Sequence, residues 1–219
     1  MHIPDGLMAP VILAIGWVIA LAVIAFSVFK VNKKIDEKTV PLMAILAAGI
    51  FVAQMLNFPI FGGTTGHLIG AALAAVLVGP YAAVIILTVI LVIQCFVFGD
   101  GGLTALGLNL TNMAVIGTFV AWGTYKLFPK KLEKVGVVAA AWLSVFAAAF
   151  ACAFELAASF SLSGGAYGIE AAISLPSMLG YHAVIGIGEG IITGAIFLYL
   201  AKVAPDIIKT RKPAEEVTT

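Results

Sequence analysis

Charged side chains are scarce in this 219-residue chain. Only 11% of its residues are Asp, Glu, Lys or Arg, and 62% are hydrophobic, whereas about 25% charged residues is usual in a soluble domain. So few charges cannot cover the surface of a soluble protein of this length. Apolar runs of about 18 to 25 residues, the length of a membrane-spanning helix, occupy most of the chain. The composition therefore predicts a single domain embedded in a membrane.

Residues that carry common catalytic chemistry are also few. The two cysteines, Cys95 and Cys152, lie in apolar runs without CxxC spacing, which argues against a thiolate metal site and indicates packing residues. The sequence has no GxxxxGK[ST] phosphate loop and no internal loop long enough for a nucleotide-binding domain, so this chain should not hydrolyse ATP. It also lacks HExxH and any convincing nucleophile constellation. We therefore predict that the protein is not an enzyme.

Basic residues are absent from most of the chain and are confined to three clusters. The clusters are Lys30, Lys33, Lys34 and Lys38; Lys126, Lys130, Lys131 and Lys134; and Lys202, Lys209, Arg211 and Lys212. Short basic loops tend to stay in the cytoplasm, so we place all three there. One apolar run, residues 9–29, precedes the first cluster, and the amino terminus is therefore expected outside. A cleaved signal peptide is not expected, because no Lys or Arg precedes that run.

The number of helices follows from this placement. Between the first two clusters lie the runs 40–56, 67–98 and 106–122, and both clusters stay inside only if the middle run forms two helices. Gly79-Pro80 is a suitable break, since proline ends helices. Two more runs, 135–160 and 175–203, follow Lys134. The predicted fold is all-α and polytopic, with seven transmembrane helices, the amino terminus outside and the carboxyl terminus in the cytoplasm.

The domain boundaries follow from the same pattern. Residues 1–205 should form one transmembrane domain whose residues 1–8 are an external segment, and residues 206–219 should be a disordered cytoplasmic tail. A retinal-binding receptor, which also has seven helices, would need a lysine in its last helix. Residues 175–201 contain none, and this class is excluded.

Met1-His2 is a possible metal chelate. A free terminal amine, the amide nitrogen of His2 and its ring Nδ1 can bind one ion through a five-membered and a six-membered ring. The chain has three histidines, and His67 is the candidate for a fourth nitrogen ligand. Planar nitrogen coordination favours Ni(II) or Cu(II). The bulk of His2 should protect Met1 from removal. The alternative is that His2 is an ordinary frayed terminal residue.

The predicted external segments share one character. Residues 1–8, 57–66, 99–105 and 161–175 are rich in glycine and short polar residues and contain no Lys or Arg. His67 would lie where the second segment enters its helix, level with the amino terminus. Pro4, Asp5 and Gly6 form a plausible turn that folds the terminus inward toward His67.

Other polar or small residues in the predicted spans are candidates for supporting roles. Residues that position the metal ligands could include Asp5, Asn109, Asn112, His182 and Glu189; the alternative for each is a structural hydrogen bond between helices. Small residues four apart allow close helix contact. Gly186, Gly190 and Gly194 form one such stripe, and Ala44 and Ala48 form another; one such stripe could dock a second membrane subunit.

Four motifs resemble a known family. They are Met1–Gly6 (MHIPDG), Gly62–His67 (GGTTGH), Phe98–Gly107 (FGDGGLTALG) and His182–Thr193 (HAVIGIGEGIIT). Together they resemble the cobalt/nickel substrate-binding membrane subunits of energy-coupling-factor transporters, the CbiM/NikM family. The resemblance covers essentially the whole chain.

The resemblance implies a capture subunit for Ni(II) or Co(II) in a prokaryotic inner membrane, with Met1, His2 and His67 as ligands. It implies a transmembrane coupling subunit of the EcfT type, cytosolic ATPase subunits and, in some systems, a small accessory membrane subunit as partners. Such subunits commonly have six helices, and this branch adds one at the amino terminus. No organic cofactor and no nucleic acid are expected.

Two questions stay open at this point. Nickel is favoured over cobalt because nitrogen sites bind Ni(II) more tightly than Co(II). The alternative function is a stand-alone permease or channel for transition metals. That alternative requires ionisable groups along the whole path, and the inner halves of the first and third predicted helices supply almost none.

Overall fold

The computed structural model describes residues 1–33, 39–205 and 207–208, and the fold over these residues is almost entirely helical. The helices are α1 Pro10–Asn32, α2 Thr39–Gln54, α3 Ala71–Val78, α4 Pro80–Ile93, α5 Leu106–Asn109, α6 Thr118–Leu127, α7 Glu133–Leu162 and α8 Ala171–Val203. A π-helical turn, Gln94–Phe98, extends α4, and a second, Leu110–Gly117, joins α5 to α6; the 3-10 turn Lys130–Leu132 precedes α7. The predicted tail, 206–219, lies almost wholly outside the described residues.

The helices confirm an all-α, multi-pass membrane protein. Five helical stretches are long and apolar enough to cross a membrane: Pro10–Asn32, Pro80–Phe98, Leu106–Leu127, Lys130–Leu162 and Ala171–Val203. The apolar helix α2 is shorter, with 16 residues. Two strands of two residues each, β1 Phe58–Pro59 and β2 Thr65–Gly66, pair antiparallel in the loop after α2. The count of seven spans and the outside location of the amino terminus stay predictions.

The predicted break at Gly79-Pro80 is confirmed. Gly79 has a φ of 85°, α3 ends one residue before it, and α4 begins one residue after it. However, α3 has only 8 residues. At 1.5 Å per residue it is about 12 Å long, whereas the apolar core of a membrane is about 30 Å thick. Helix α3 alone therefore cannot cross a membrane.

The expectation that a helix begins at His67 is wrong, since α3 begins at Ala71. The buried carboxylate of Glu189, on α8, accepts hydrogen bonds from the backbone N–H groups of Ile69 at 2.7 Å and Gly70 at 2.6 Å. Gly70 has a φ of 75°, a left-handed conformation that favours glycine and interrupts a helix. The chain from residue 57 to residue 70 is therefore a loop that enters the bundle, and α3 continues from its inner end.

The glycine stripe of α8 forms internal packing. A Cβ atom added at Gly186 would lie 2.9 Å from the Trp142 ring, and one at Gly194 would lie 3.0 Å from Val138. Both neighbours belong to α7, and the Trp142 ring nitrogen donates to the Ala183 carbonyl oxygen at 3.0 Å. The stripe thus lets α7 and α8 pack closely.

Glycines also bring α1 against α5. A Cβ atom at Gly107 would lie 2.6 Å from the backbone nitrogen of Trp17, and one at Gly16 would lie 2.4 Å from Leu108 Cδ2. The Trp17 ring nitrogen donates to the Thr104 carbonyl oxygen at 2.9 Å. Backbone therefore packs on backbone at this crossing, and a side chain on either glycine would separate the helices.

We expect Gly107→Ala to destabilise the protein by roughly 1–3 kcal/mol, because the added methyl group overlaps the rigid Trp17 backbone. Thermal unfolding in detergent measures the effect. Gly123→Ala, in the exposed part of α6, is the control, because nothing lies within 4 Å of its added Cβ and alanine favours a helix. A Gly107→Ala protein as stable as the Gly123→Ala protein would contradict the tight crossing.

Candidate metal site

The amino-terminal residues are buried rather than frayed. Met1 and Ile3 are 0% exposed and His2 is 3% exposed. The Met1 amine donates hydrogen bonds to the carbonyl oxygen of Thr65 and to its hydroxyl oxygen, the latter at 2.9 Å. The backbone N–H of His2 donates to the same hydroxyl at 2.9 Å. Both backbone nitrogens of the predicted chelate thus face Thr65, two residues before His67.

Asn109 holds the next residue of the terminal segment. The backbone N–H of Ile3 donates to Asn109 Oδ1 at 2.8 Å, and Asn109 Nδ2 donates to the Ile3 carbonyl oxygen at 3.2 Å. The Gly102 backbone N–H donates to the same carbonyl at 2.8 Å. Both backbone polar groups of Ile3 are therefore paired, with Asn109 at the end of α5 and with Gly102 in the loop before α5.

Asp5 fastens the terminal segment to the loop before α5. Its carboxylate accepts hydrogen bonds from the backbone N–H groups of Leu103 at 3.0 Å and Thr104 at 2.7 Å, and from the Thr104 hydroxyl. These bonds lower the pKa of Asp5. The carboxylate therefore serves as an anchor for residues 103–104.

The glycines of the sequence Gly99-Asp100-Gly101-Gly102 leave room for the terminus. A Cβ atom at Gly102 would lie 2.3 Å from the backbone nitrogen of Asp5. One at Gly101 would lie 2.8 Å from Asn109 Nδ2 and 3.3 Å from His2 Nδ1. Any side chain at these two positions would displace the terminal segment, which accounts for this part of the motif.

The rings of His2 and His67 lie face to face. Their centroids are 4.6 Å apart, with 22° between the ring planes. His67 Nδ1 lies 2.7 Å from the Leu68 carbonyl oxygen. Because a carbonyl can only accept, Nδ1 carries the hydrogen and Nε2 keeps a free lone pair. That Nε2 atom is buried and has no hydrogen-bond partner among the described residues.

Burial sets the charge state of the terminal amine. It lowers the pKa of the Met1 amine from 8.0 to about 5, so the amine is neutral at pH 7 and can donate its lone pair. Burial and the neighbouring amine also lower the pKa of His2. Near these groups lies Asp100, whose pKa is raised by burial. The Met1 amine and the His2 ring can therefore bind a cation without first losing a proton.

The other predicted supporting residues lie in different places. Glu189 holds residues 69 and 70, directly after His67. Asn112 donates instead to the Glu155 carboxylate on α7 at 2.7 Å. His182 is buried on α8, with Nδ1 donating to the Met178 carbonyl oxygen at 2.7 Å; its ring also faces the backbone of Thr65 and is close enough to His67 to interact with it electrostatically. In residues 1–33, 39–205 and 207–208 no three His, Cys, Asp or Glu side chains form a metal cluster.

Sequence reasoning did not identify Thr65, Asn57 or Asp100 as parts of this site. Thr65 binds both terminal nitrogens, and Asn57 Nδ2 donates to Asp100 Oδ2 at 2.7 Å. Asp100 Oδ2 lies 3.5 Å from His2 Nε2. The available signal was the position of Thr65 within GGTTGH and of Asp100 within a glycine-rich turn, each inside a predicted external segment.

Comparisons with known proteins agree on a metal transport family. A nickel transport protein of the fused NikMN type from Archaeoglobus fulgidus is 39% identical over 211 residues, which cover 96% of this chain and 69% of that protein. A cobalt transport protein of the CbiM type from the same organism is 32% identical over 218 residues, covering 97% of this chain and 100% of that protein.

Solved structures and a family description complete the comparison. The crystal structure of a transition metal transporter has a TM-score of 0.88 and 40% sequence identity, covering 93% of each chain. The family described as "Cobalt uptake substrate-specific transmembrane region" (CbiM) matches residues 2–207. The chain therefore belongs to the CbiM family of substrate-specific transmembrane proteins for cobalt uptake.

Proposed function

We propose that this protein is the substrate-capture subunit of an ATP-driven transporter of the energy-coupling-factor type, and that it binds Ni(II) or Co(II) from outside the cell. The proposed ligands are the Met1 amine, the amide and Nδ1 nitrogens of His2, and Nε2 of His67. The observation that supports this most strongly is the burial of the first three residues against Thr65, with the His2 ring on the His67 ring.

The environment of each donor suits this chemistry. The Met1 amine is neutral at pH 7, since its pKa is about 5, and His67 has a bare Nε2. Binding through the His2 amide nitrogen requires loss of its hydrogen, which now points at the Thr65 hydroxyl. The ion would take the place of that hydrogen and use the only in-plane lone pair of the nitrogen, so the Thr65 hydroxyl would lose this hydrogen bond and turn aside to admit the ion. The hydroxyl can keep its contact with the Met1 amine.

The ligands must still move to surround an ion. The lone pairs of an imidazole lie in the ring plane, so two stacked rings do not point at a common ion. With 22° between the rings, at least one ring has to rotate before both bind. Such a rotation changes side-chain torsions only, while the hydrogen bonds of Asn109 and Asp5 keep the backbone in place.

Nickel is the substrate we favour. A site of four nitrogens in one plane suits Ni(II), and the general affinity order places Ni(II) above Co(II). Among the described residues, the site has no cluster of carboxylate groups, whereas Mg²⁺ and Ca²⁺ prefer oxygen ligands. The relatives include proteins named for nickel transport and for cobalt transport.

The proposed partners follow from what the chain does not supply. The sequence contains no ATP-binding loop, so the proposal places ATP hydrolysis on cytosolic subunits that act through a coupling subunit in the prokaryotic inner membrane. Ala44 and Ala48 lie on the exposed side of α2. These small residues would let a helix of the coupling subunit, or of a small accessory subunit, approach closely.

Addition of two glycines before Met1 should weaken Ni(II) binding by more than about 100-fold, because loss of outer-shell partners alone typically costs about 10–100-fold. The extra residues would remove the terminal amine from the chelate, and Met1 has no exposed surface. Two residues are added because a single one would place the histidine third in the chain, where the terminus alone can form a planar four-nitrogen chelate. Calorimetric titration of the purified protein measures the affinity. Two glycines added after Thr219 are the control, and equal affinity in the two extended proteins would refute the terminal chelate.

His67→Ala should weaken Ni(II) binding to a similar extent and replace the yellow, diamagnetic spectrum of planar Ni(II). The reason is the loss of the fourth nitrogen from the plane. Absorption spectroscopy and magnetic measurements report the geometry, and thermal unfolding verifies the fold. Gly123→Ala, in the exposed part of α6, is the control, since nothing lies within 4 Å of its added Cβ and it should leave the planar spectrum unchanged. A planar, diamagnetic signal retained in His67→Ala would remove His67 from the ligand set.

Uptake of radioactive nickel by cells distinguishes the capture subunit from a stand-alone permease. Cells that produce this chain with its coupling and ATPase subunits should accumulate nickel, whereas cells that produce the chain alone should only bind it. The physical reason is that this chain has no site for ATP. Co-production with an ATPase inactivated in its phosphate loop is the control. Strong, saturable uptake by the chain alone would favour the permease.

A further inference from the structure

Asp100 lies in a tight turn beside the proposed site. The turn is formed by left-handed glycines on either side, Gly99 with a φ of 66° and Gly101 with a φ of 90°. The Asp100 backbone N–H donates to the Gln94 carbonyl oxygen at 3.0 Å, and Asn57 Nδ2 donates to its Oδ2 atom at 2.7 Å. Backbone and side chain are thus both held, and the carboxylate has a fixed direction.

The carboxylate faces a buried nitrogen that has no partner. His2 Nε2 forms no hydrogen bond within the described chain, although His2 is only 3% exposed. The nearest carboxylate oxygen, Asp100 Oδ2, lies 3.5 Å from it. Both residues line a cavity of about 300 Å³, and the other lining residues, Pro4, Gly63, Thr64, Thr65, Gly99 and Gly101, carry no charge.

We propose that Asp100 is a positioning residue for the metal ligand His2, an inference that rests on the function proposed above. When the ion binds, the Asp100 carboxylate accepts the hydrogen of His2 Nε2. A shift of about 0.6 Å would shorten the present separation to the length of a charge-assisted hydrogen bond. The carboxylate itself does not touch the ion.

The proposed chelate requires the hydrogen of the neutral His2 ring to be on Nε2. Only Nδ1 of His2 can close a six-membered ring with the amide nitrogen, so the neutral ring must carry its hydrogen on Nε2. A carboxylate next to Nε2 selects that tautomer, fixes the ring orientation and makes the bound imidazole a stronger donor. The stacked rings of His2 and His67 must rotate relative to each other before both bind an ion, and the new hydrogen bond would fix the final orientation of the His2 ring.

Other acids of the external segments are not placed for this role. The Asp5 carboxylate already accepts three hydrogen bonds from residues 103 and 104. Glu170 is exposed in the segment before α8. Asp100 is therefore the acid that the described structure brings to His2, and Glu170 offers a matched control for the loss of one negative charge from an external segment.

The test compares Asp100→Ala, Asp100→Asn and Glu170→Gln in the full-length protein, with Ni(II) as the probe. Asp100→Ala should weaken binding by about 10–100-fold, the usual effect of losing such a partner. Asp100→Asn keeps an acceptor oxygen of the same shape and should restore part of the affinity. Glu170→Gln should bind as the unchanged protein does, and thermal unfolding should be similar in all variants.

A spectroscopic measurement separates positioning from a general structural role. Planar Ni(II) is diamagnetic, so histidine ring hydrogens of the nitrogen-15-labelled complex are observable by NMR. The Nε2 hydrogen of His2 should resonate downfield and exchange slowly with water in the unchanged protein. In Asp100→Ala it should lose both properties, and the absorption band of bound Ni(II) should move to longer wavelength.

The outcomes distinguish the two proposals. Unchanged affinity, absorption and hydrogen exchange in Asp100→Ala, beside normal binding by the unchanged protein, would overturn the role of Asp100 alone. Equal losses in Asp100→Ala and Asp100→Asn, accompanied by lowered thermal stability and an unshifted absorption band, would also overturn it. Failure of the unchanged protein to bind Ni(II) would overturn the proposed function, and this inference with it.

Discussion

The burial of Met1, His2 and Ile3 within a membrane protein is the constraint on which the structure around the candidate site depends. A buried polar group without a partner costs several kcal/mol, and the first three residues bring an amine and several peptide groups into the interior. Thr65, Asn109 and Gly102 bind these groups directly. Burial in turn lowers the pKa of the amine to about 5, so the terminus is accommodated as a neutral donor and not as a cation.

His67 lies between two segments that are held by hydrogen bonds, one to the side chain of Thr65 and one to the side chain of Glu189. On one side Thr65 receives the terminal nitrogens, and on the other the Glu189 carboxylate receives the N–H groups of Ile69 and Gly70. The residues between these anchors have little freedom to move along the bundle axis. Because Glu189 belongs to α8, a displacement of α8 relative to the loop would act on His67 through Gly70. This physical connection links a long helix to the proposed ligand.

The sequence allowed most helices to be predicted but not the loop that carries His67. Long apolar runs separated by basic clusters identify the helices, and Gly79-Pro80 marks a break through local stereochemistry. Residues 67–70 cannot be recognised in this way, since Leu68 and Ile69 are as apolar as the helix that follows. Their irregular backbone depends on Glu189, which is more than a hundred residues away in the chain. Only tertiary structure shows that contact.

The same distinction applies to the site. Met1, His2 and His67 could be proposed from donor chemistry alone. A histidine in second position can form a chelate together with the terminal amine, and the chain has few histidines. Thr65 and Asp100 could not, since a hydroxyl or a carboxylate in a glycine-rich loop is equally typical of a turn. Their part depends on which atoms the fold places within hydrogen-bonding distance, as for Asn112, which pairs with Glu155.

The exposed helix α1 helps to position the terminal segment. Little of its surface is buried, and it adds few side chains to the core. Its close crossing with α5 at Gly16 and Gly107 fixes the point at which the terminal segment ends and α1 begins.

Residues 7–9 are fixed as well, because the Leu7 carbonyl oxygen accepts from Gly168 at 2.7 Å and the Ala9 N–H donates to Ser159 at 3.2 Å. The terminus is thus attached to the three other predicted external segments or to the helices beside them. A peptide held at so many points loses little further entropy when it binds a ligand, which is the physical advantage that the proposed chelate would gain from its place at the first residues of the chain, next to α1.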